Sequence, residues 1–264
     1  MRDGNGHPNV QRRRWILRCV FFLGIAAAWE ILARAGLWPS YLFPPLSRVL
    51  ASVARGVRDH SYLIGISGSL GRLLQGYAIA LAGGLTLGML MAEVRWVKDT
   101  FGLLVMGLQA LPSICWLPLA LLWFGLNERA ILFVVVMGAV MSIAQSTEDG
   151  VRNTAPGHIR AAKNLGARGL RIYSAVIFPA ALPSIVTGMK MGWAFAWRSL
   201  MAGELLYTLP GLGHLLNIGR ELNDMGQVMA VILVIVTIGL VFDKLVFGTI
   251  EKRVRERWGL GVAR

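Results

Sequence analysis

Charge is scarce in this 264-residue chain: Asp, Glu, Lys and Arg make up 16% of it, 55% is hydrophobic, and the mean hydropathy is +0.58. An ordinary soluble domain carries about 25% charged residues, so that class is set aside first. Cysteine is scarcer still. Cys19 and Cys115 both fall in apolar runs, which leaves no basis for a disulfide framework or a zinc site. Four histidines, His7, His60, His158 and His214, are scattered without metal-ligand spacing. No GxxxxGK[ST] phosphate loop occurs, so the chain is not its own P-loop ATPase. No Ser, His and Asp pattern converges, so hydrolysis is not read from it.

What is there is long apolar sequence. Residues 73–92, 100–127, 130–147 and 225–242 contain no Asp, Glu, Lys or Arg. Two further stretches carry a few charges: 17–36 with Glu30 inside, and 184–206 with Lys190, Arg198 and Glu204. An α-helix needs about 20 apolar residues to cross a bilayer, so the pattern predicts an all-α polytopic membrane protein of about six transmembrane helices. A single membrane domain over residues 1–264 is expected.

The formal net charge of +13 would suggest nucleic acid in a soluble protein, so the placement of charge decides. With the N-terminus inside the cell, the inner segments 1–16, 93–99, 148–183 and 251–264 hold sixteen of the 27 Lys and Arg, and the outer segments hold six. That asymmetry obeys the positive-inside rule, places both termini in the cytoplasm and argues against nucleic acid. Reading Arg12-Arg13-Arg14 and residues 19–29 as a cleaved signal peptide would leave five spans and disturb this count.

Between spans the chain is informative. Leu46, Val49, Leu50, Val53 and Val57 recur at helical spacing behind Pro44-Pro45, which predicts a short external interfacial helix near 46–57. Gly76, Ala80, Gly84, Gly88 and Ala92 put small residues on one face of the second span, a surface for close helix packing. Pro112 and Pro118 predict a bend in the third span, either a packing kink or a break beside a transport path. Residues 148–183 are too polar for the membrane. Pro156 suits a helix start, Gly166 a helix C-cap, and Pro179 and Pro183 a return to the membrane, which predicts two short helices on the cytoplasmic side.

Arg160-Ala161-Ala162, Gly166 and Val176-Ile177-Phe178-Pro179 resemble the EAA loop of permeases of binding-protein-dependent ATP-binding cassette importers. Arg160 stands where that family has Glu, and Phe178 where it has Leu. Further patterns resemble the nitrate, sulfonate and taurine branch: Leu42-Phe43-Pro44-Pro45-Leu46-Ser47, Leu111-Pro112 through Trp123-Phe124-Gly125-Leu126, Trp197 through Glu204, and Pro210-Gly211-Leu212-Gly213. The resemblance implies a permease working with a second copy of itself, two cytoplasmic ATPase subunits that bind ATP and Mg, and a periplasmic or lipoprotein solute-binding protein, in a bacterial inner membrane. It implies no cofactor in this chain. The loop residues His158, Ile159, Arg160, Ala161, Ala162, Lys163, Leu165 and Gly166 would dock on the ATPase, with Ile159, Ala162 and Leu165 forming an apolar face opposite Arg160 and Lys163.

Ionisable residues at membrane depth are costly and mark paths or partners. Arg198 is therefore the candidate contact for a small anion such as nitrate, a sulfonate or taurine, with Trp193, Trp197, Ser113 and Gln109 shaping the path. The competing reading pairs Arg198 internally with Glu204 or Glu30, or lets it snorkel. Lys190 reads as an interfacial anchor, and Ser142 and Gln145 as interhelical hydrogen bonders, which is also the competing reading of Gln109 and Ser113. A neutral vitamin precursor as solute, an ion-gradient-driven carrier and a membrane-anchored assembly factor are the alternatives; repeated halves, a common mark of gradient-driven carriers, are not evident.

Overall fold

The computed structural model describes residues 8–257, and every regular element among them is helical. The elements are α1 (Pro8–Arg34), α2 (Leu46–Arg58), α3 (Ser61–Glu93), α4 (Arg95–Gln109), α5 (Ser113–Phe124), α6 (Glu128–Arg152), α7 (Pro156–Asn164), α8 (Leu170–Glu204), α9 (Leu212–Glu221) and α10 (Met225–Val254). Five helices are long and apolar enough to cross a membrane: α3, α6, α8, α10 and the Ile16–Arg34 part of α1. The pair α4 and α5 makes a sixth, bent by 104° at the break. The cytoplasmic tail expected over 1–16 is described only from Pro8, and that over 251–264 only to Arg257.

Contacts cluster into two compact units, one of residues up to 62 with 216–233, the other of 63–215 with 234 onward. In the first unit α1 exposes Phe21, Phe22 and Leu23, as a lipid-facing helix does. Its end is tied to the following turn: Trp29 Nε1 donates to the Pro44 carbonyl at 3.0 Å, and Glu30 accepts from the Ser47 amide and hydroxyl. Helix α2 seats Val49, Ser52 and Gly56 and leaves Leu50 and Val57 exposed, so only one flank of its apolar stripe packs on protein. Its Arg48 pairs with Asp224 at 3.5 Å.

The second unit is organised on α6 and α8, whose small residues bring the backbones close. A Cβ on Gly138 would lie 2.2 Å from Ser199 Oγ, and one on Gly188 2.3 Å from the Ser146 side chain. Helix α3 packs on α6 through its stripe of small residues; Ala80 is fully buried, and a Cβ on Gly88 would lie 2.4 Å from the Ala144 carbonyl. Leu73, Ile131, Val134, Val135, Ile143, Ala196 and Leu200 fill the core around them.

Two local expectations are corrected. The loop between the fourth and fifth spans contains one separate short helix, α7, and not two; the predicted second helix is the start of α8, which runs unbroken past Pro179 and Pro183. A proline removes one i→i−4 bond and crowds the carbonyl it would have met. Here the turn Tyr173–Ile177 widens to π geometry just upstream and absorbs that demand, and the Thr187 hydroxyl bonds the Pro183 carbonyl at 3.0 Å. Pro118 likewise does not bend a helix, because it lies at the start of the α-helical part of α5, Leu117–Phe124, just after the 3-10 turn Ser113–Trp116, where its missing N–H has little cost.

Candidate functional site

The break between α4 and α5 is the most irregular backbone in the apolar part of the chain. Ala110 and Leu111 donate to Gly107 and Leu108 in a tightened last turn, and Pro112, extended at ψ 133°, redirects the chain. Beside the break lies a cavity of about 370 Å³. Gln109 and Ser113 line it from the break, Met141 and Ser142 from α6, and Phe195 and Arg198 from α8.

Arg198 is exposed within this wall. Its Nε donates to the Ala194 carbonyl at 3.2 Å, its guanidinium carbon stands 4.8 Å from the Phe195 ring centroid, and among the described residues no carboxylate reaches it. The expected internal partner is engaged elsewhere: fully buried Glu204 pairs with Arg72 at 3.2 Å. Ser69 Oγ and the Gly213 amide also donate to Glu204, and Arg72 donates in turn to the Pro210 carbonyl. The Pro210-Gly211-Leu212-Gly213 turn wraps this carboxylate so closely that a Cβ on Gly211 would lie 2.6 Å from it, which explains the glycines. Arg72 is the buried ion-pair partner that sequence reading missed; its signal was an arginine at the edge of an apolar span.

The cavity brings Arg198, Ser113 and Gln109 together and leaves the two tryptophans out of its wall. Trp193 is buried in the core, 4.9 Å from the Phe242 ring and 5.1 Å from Tyr77, and Trp197 packs at the edge of the same core. Lys190 is paired with Asp243 at 3.1 Å.

The second feature is the hairpin joining α6 to α8. Helix α7 turns Ile159 and Ala162 inward, Ile159 packing near Val151 and Ile172, while His158, Arg160, Ala161 and Lys163 are exposed. The helix closes in a Schellman motif. Ala167 N–H donates to the Ala162 carbonyl, Gly166 N–H to Lys163, and Gly166 sits at φ +84°. Leu165 does not share the inward face: it follows the last helical residue and is 89% exposed, as Leu170 across the turn is 85% exposed.

Helices of membrane length, one of them broken beside a bare guanidinium, define the class: a polytopic transport protein. Within it the chain belongs to the family described as binding-protein-dependent transport system inner membrane component, whose model matches residues 84–256. A Methanocaldococcus jannaschii protein described as an ABC transporter permease, MJ0413, is 37% identical over 67% of this chain and 66% of its own length. Escherichia coli K12 SsuC, described as an aliphatic sulfonates transport permease protein, is 30% identical over 93% of this chain and 94% of its own. The taurine transport system permease protein TauC of the same organism is 27% identical over 90% of each. A solved amino acid ABC transporter shares the fold, with a TM-score of 0.63 at 17% identity over 76% of this chain and 97% of that one. The chain is thus a multi-pass permease component of an ABC importer, of the nitrate, sulfonate and taurine branch.

Proposed function

We propose that this permease passes a small anion through a path lined by Arg198, Gln109 and Ser113, and that a separate ATPase drives it by gripping the α6–α8 hairpin. The observation that carries the anion reading is Arg198 in the cavity wall with no carboxylate among the described residues to neutralise it, since an uncompensated cation at membrane depth is favourable only when it meets an anion or water. The names of SsuC and TauC, a sulfonate and a taurine permease, agree with a solute that carries an anionic sulfonate group.

The hairpin supports the driving role. Its turn is fixed by the Schellman cap, it presents Arg160 and Lys163 in the same short segment as the bare leucines Leu165 and Leu170, and it joins two closely packed helices. An apolar pair rimmed by basic residues suits a protein groove. On this reading His158, Ile159, Arg160, Ala161, Ala162, Lys163, Leu165 and Gly166 form the coupling segment, the hairpin and both termini are cytoplasmic, the ATPases bind ATP and Mg, a second copy completes the path, and an external binding protein delivers the solute. Arg160 in place of the family's Glu means that the polar partner on the ATPase differs or is absent.

The test is uptake in proteoliposomes holding the permease, its ATPase and its binding protein. ATP depletion abolishes uptake and dissipation of the proton gradient leaves it intact. Uptake that follows the gradient and ignores ATP would sink the reading. The charge of the solute carried by the co-purified binding protein tests the anion.

A further inference from the structure

Helix α4 is lightly seated. Val105 is its buried residue, whereas Leu103, Leu104 and Met106 around it are more than half exposed. Val97 and Leu108 are half-buried, and among the described residues one ion pair ties the helix to α6: Lys98 Nζ lies 2.8 Å from Glu148 Oε1, with the Glu148 side chain only 10% exposed. The same oxygen meets Arg152 Nη1 at 3.1 Å, so Glu148 is held from its own helix and from α4 together.

The two ends of α4 face different business. Lys98 stands at the end of α6 from which the hairpin departs: one turn beyond Glu148, Val151 packs with Ile172 and with Ile159 of α7. At the other end, Leu108 and Gln109 form a wall of the Arg198 cavity. The helix runs unbroken from the π turn Lys98–Gly102 into the α-helical Leu103–Gln109, so whatever holds Lys98 also positions Gln109, about 16 Å away at roughly 1.5 Å per residue.

We infer that the Lys98–Glu148 pair is a positioning strap: it makes α4 travel with the α6–α8 body that carries the hairpin, so that a pull on the hairpin moves the cavity wall at Gln109. Neither residue touches the solute; both act through α4. The inference rests on the ATPase-driven reading above. Without the strap, α6 slides past a limb whose one fully buried side chain among the described residues is Val105, and ATP is spent without moving the wall.

The experiment uses the reconstituted complex of permease, ATPase and binding protein, and reads solute moved per ATP hydrolysed for Lys98→Met, Glu148→Gln, the double variant and Lys98→Arg. Thermal unfolding and ATPase co-purification are read on the same samples. Each single loss lowers the transport ratio about fivefold, the low end of coupling between sites, while hydrolysis continues and the ATPase stays attached. The double variant is no worse than the worse single, and Lys98→Arg keeps the wild-type ratio. A normal ratio in both single variants, or a drop that merely tracks lost folded protein, overturns the strap. If wild type itself shows no ATP-dependent uptake, the importer reading fails with it; if wild type transports and the variants match it, only the strap is lost.

Discussion

Arg72 and Glu204 form an ion pair of 3.2 Å with side chains 5% and 0% exposed, and it joins α3 to the end of α8. Removing one partner strands the other charge in a dry site, which costs about 3–5 kcal/mol. Glu204→Ala and Arg72→Ala are therefore expected to lower yield and the thermal midpoint sharply, whereas Arg72→Met with Glu204→Met recovers part of the loss. Thermal unfolding in detergent checks this, and a single variant as stable as wild type would contradict the burial described.

Gly83 and Gly88 sit five residues apart on α3 and should respond in opposite ways to alanine. At Gly83 the nearest atom to a new Cβ is 3.7 Å away, so Gly83→Ala is neutral or gains up to about 1 kcal/mol from helix propensity. At Gly88 the new methyl meets the Ala144 carbonyl at 2.4 Å, which is backbone and cannot step aside, so Gly88→Ala destabilises by about 1–3 kcal/mol. Comparing the two denaturation midpoints is the measurement.

Arg198 faces the cavity without an acidic partner, so Arg198→Met should fold normally and transport poorly. The expected outcome is a drop in anion uptake of about tenfold, with partial retention in Arg198→Lys, which keeps the charge and loses the planar fork. Uptake kinetics in proteoliposomes decide it; equal rates in all three would remove Arg198 from the path.

The hairpin allows strain and contact to be separated. Gly166 at φ +84° has open space around it, so Gly166→Val pays only the left-handed backbone cost of about 1–2 kcal/mol, distorting the turn, while Gly166→Asn is tolerated better. Leu165→Asp changes an 89% exposed side chain and leaves thermal stability within about 0.5 kcal/mol. Both Gly166→Val and Leu165→Asp should reduce ATPase co-purification. Undiminished capture by Leu165→Asp would take that leucine out of the docking surface.

Much of this architecture could be read from the sequence because a bilayer punishes charge, so uncharged runs mark spans almost by themselves. The cap at Gly166 was equally legible, since a left-handed turn selects glycine. Other features were not. Pro112 announces a bend but not one of 104°, which also needs the helical bonding to lapse across Ala110–Ser113. Pro179 and Pro183 mark a return to the membrane after a separate short helix, yet a widened turn upstream carries α8 through both. Glu204 was weighed as a partner for Arg198 on the same helix because its true partners, Ser69 and Arg72, lie far back in the chain, where periodicity gives no hint of pairing. Trp193 looked like path lining for the same reason: spacing shows which face a residue shares, not which neighbour covers it.

The 35 residues of α8 span about 52 Å at 1.5 Å per residue, against about 30 Å of hydrocarbon. Even allowing for tilt, several turns stand clear of the oily layer like a mast. On the ATPase-driven reading, a soluble engine would reach the hairpin at its tip without dipping into headgroups, and a detergent collar around the transmembrane girdle would leave that hairpin free for capture.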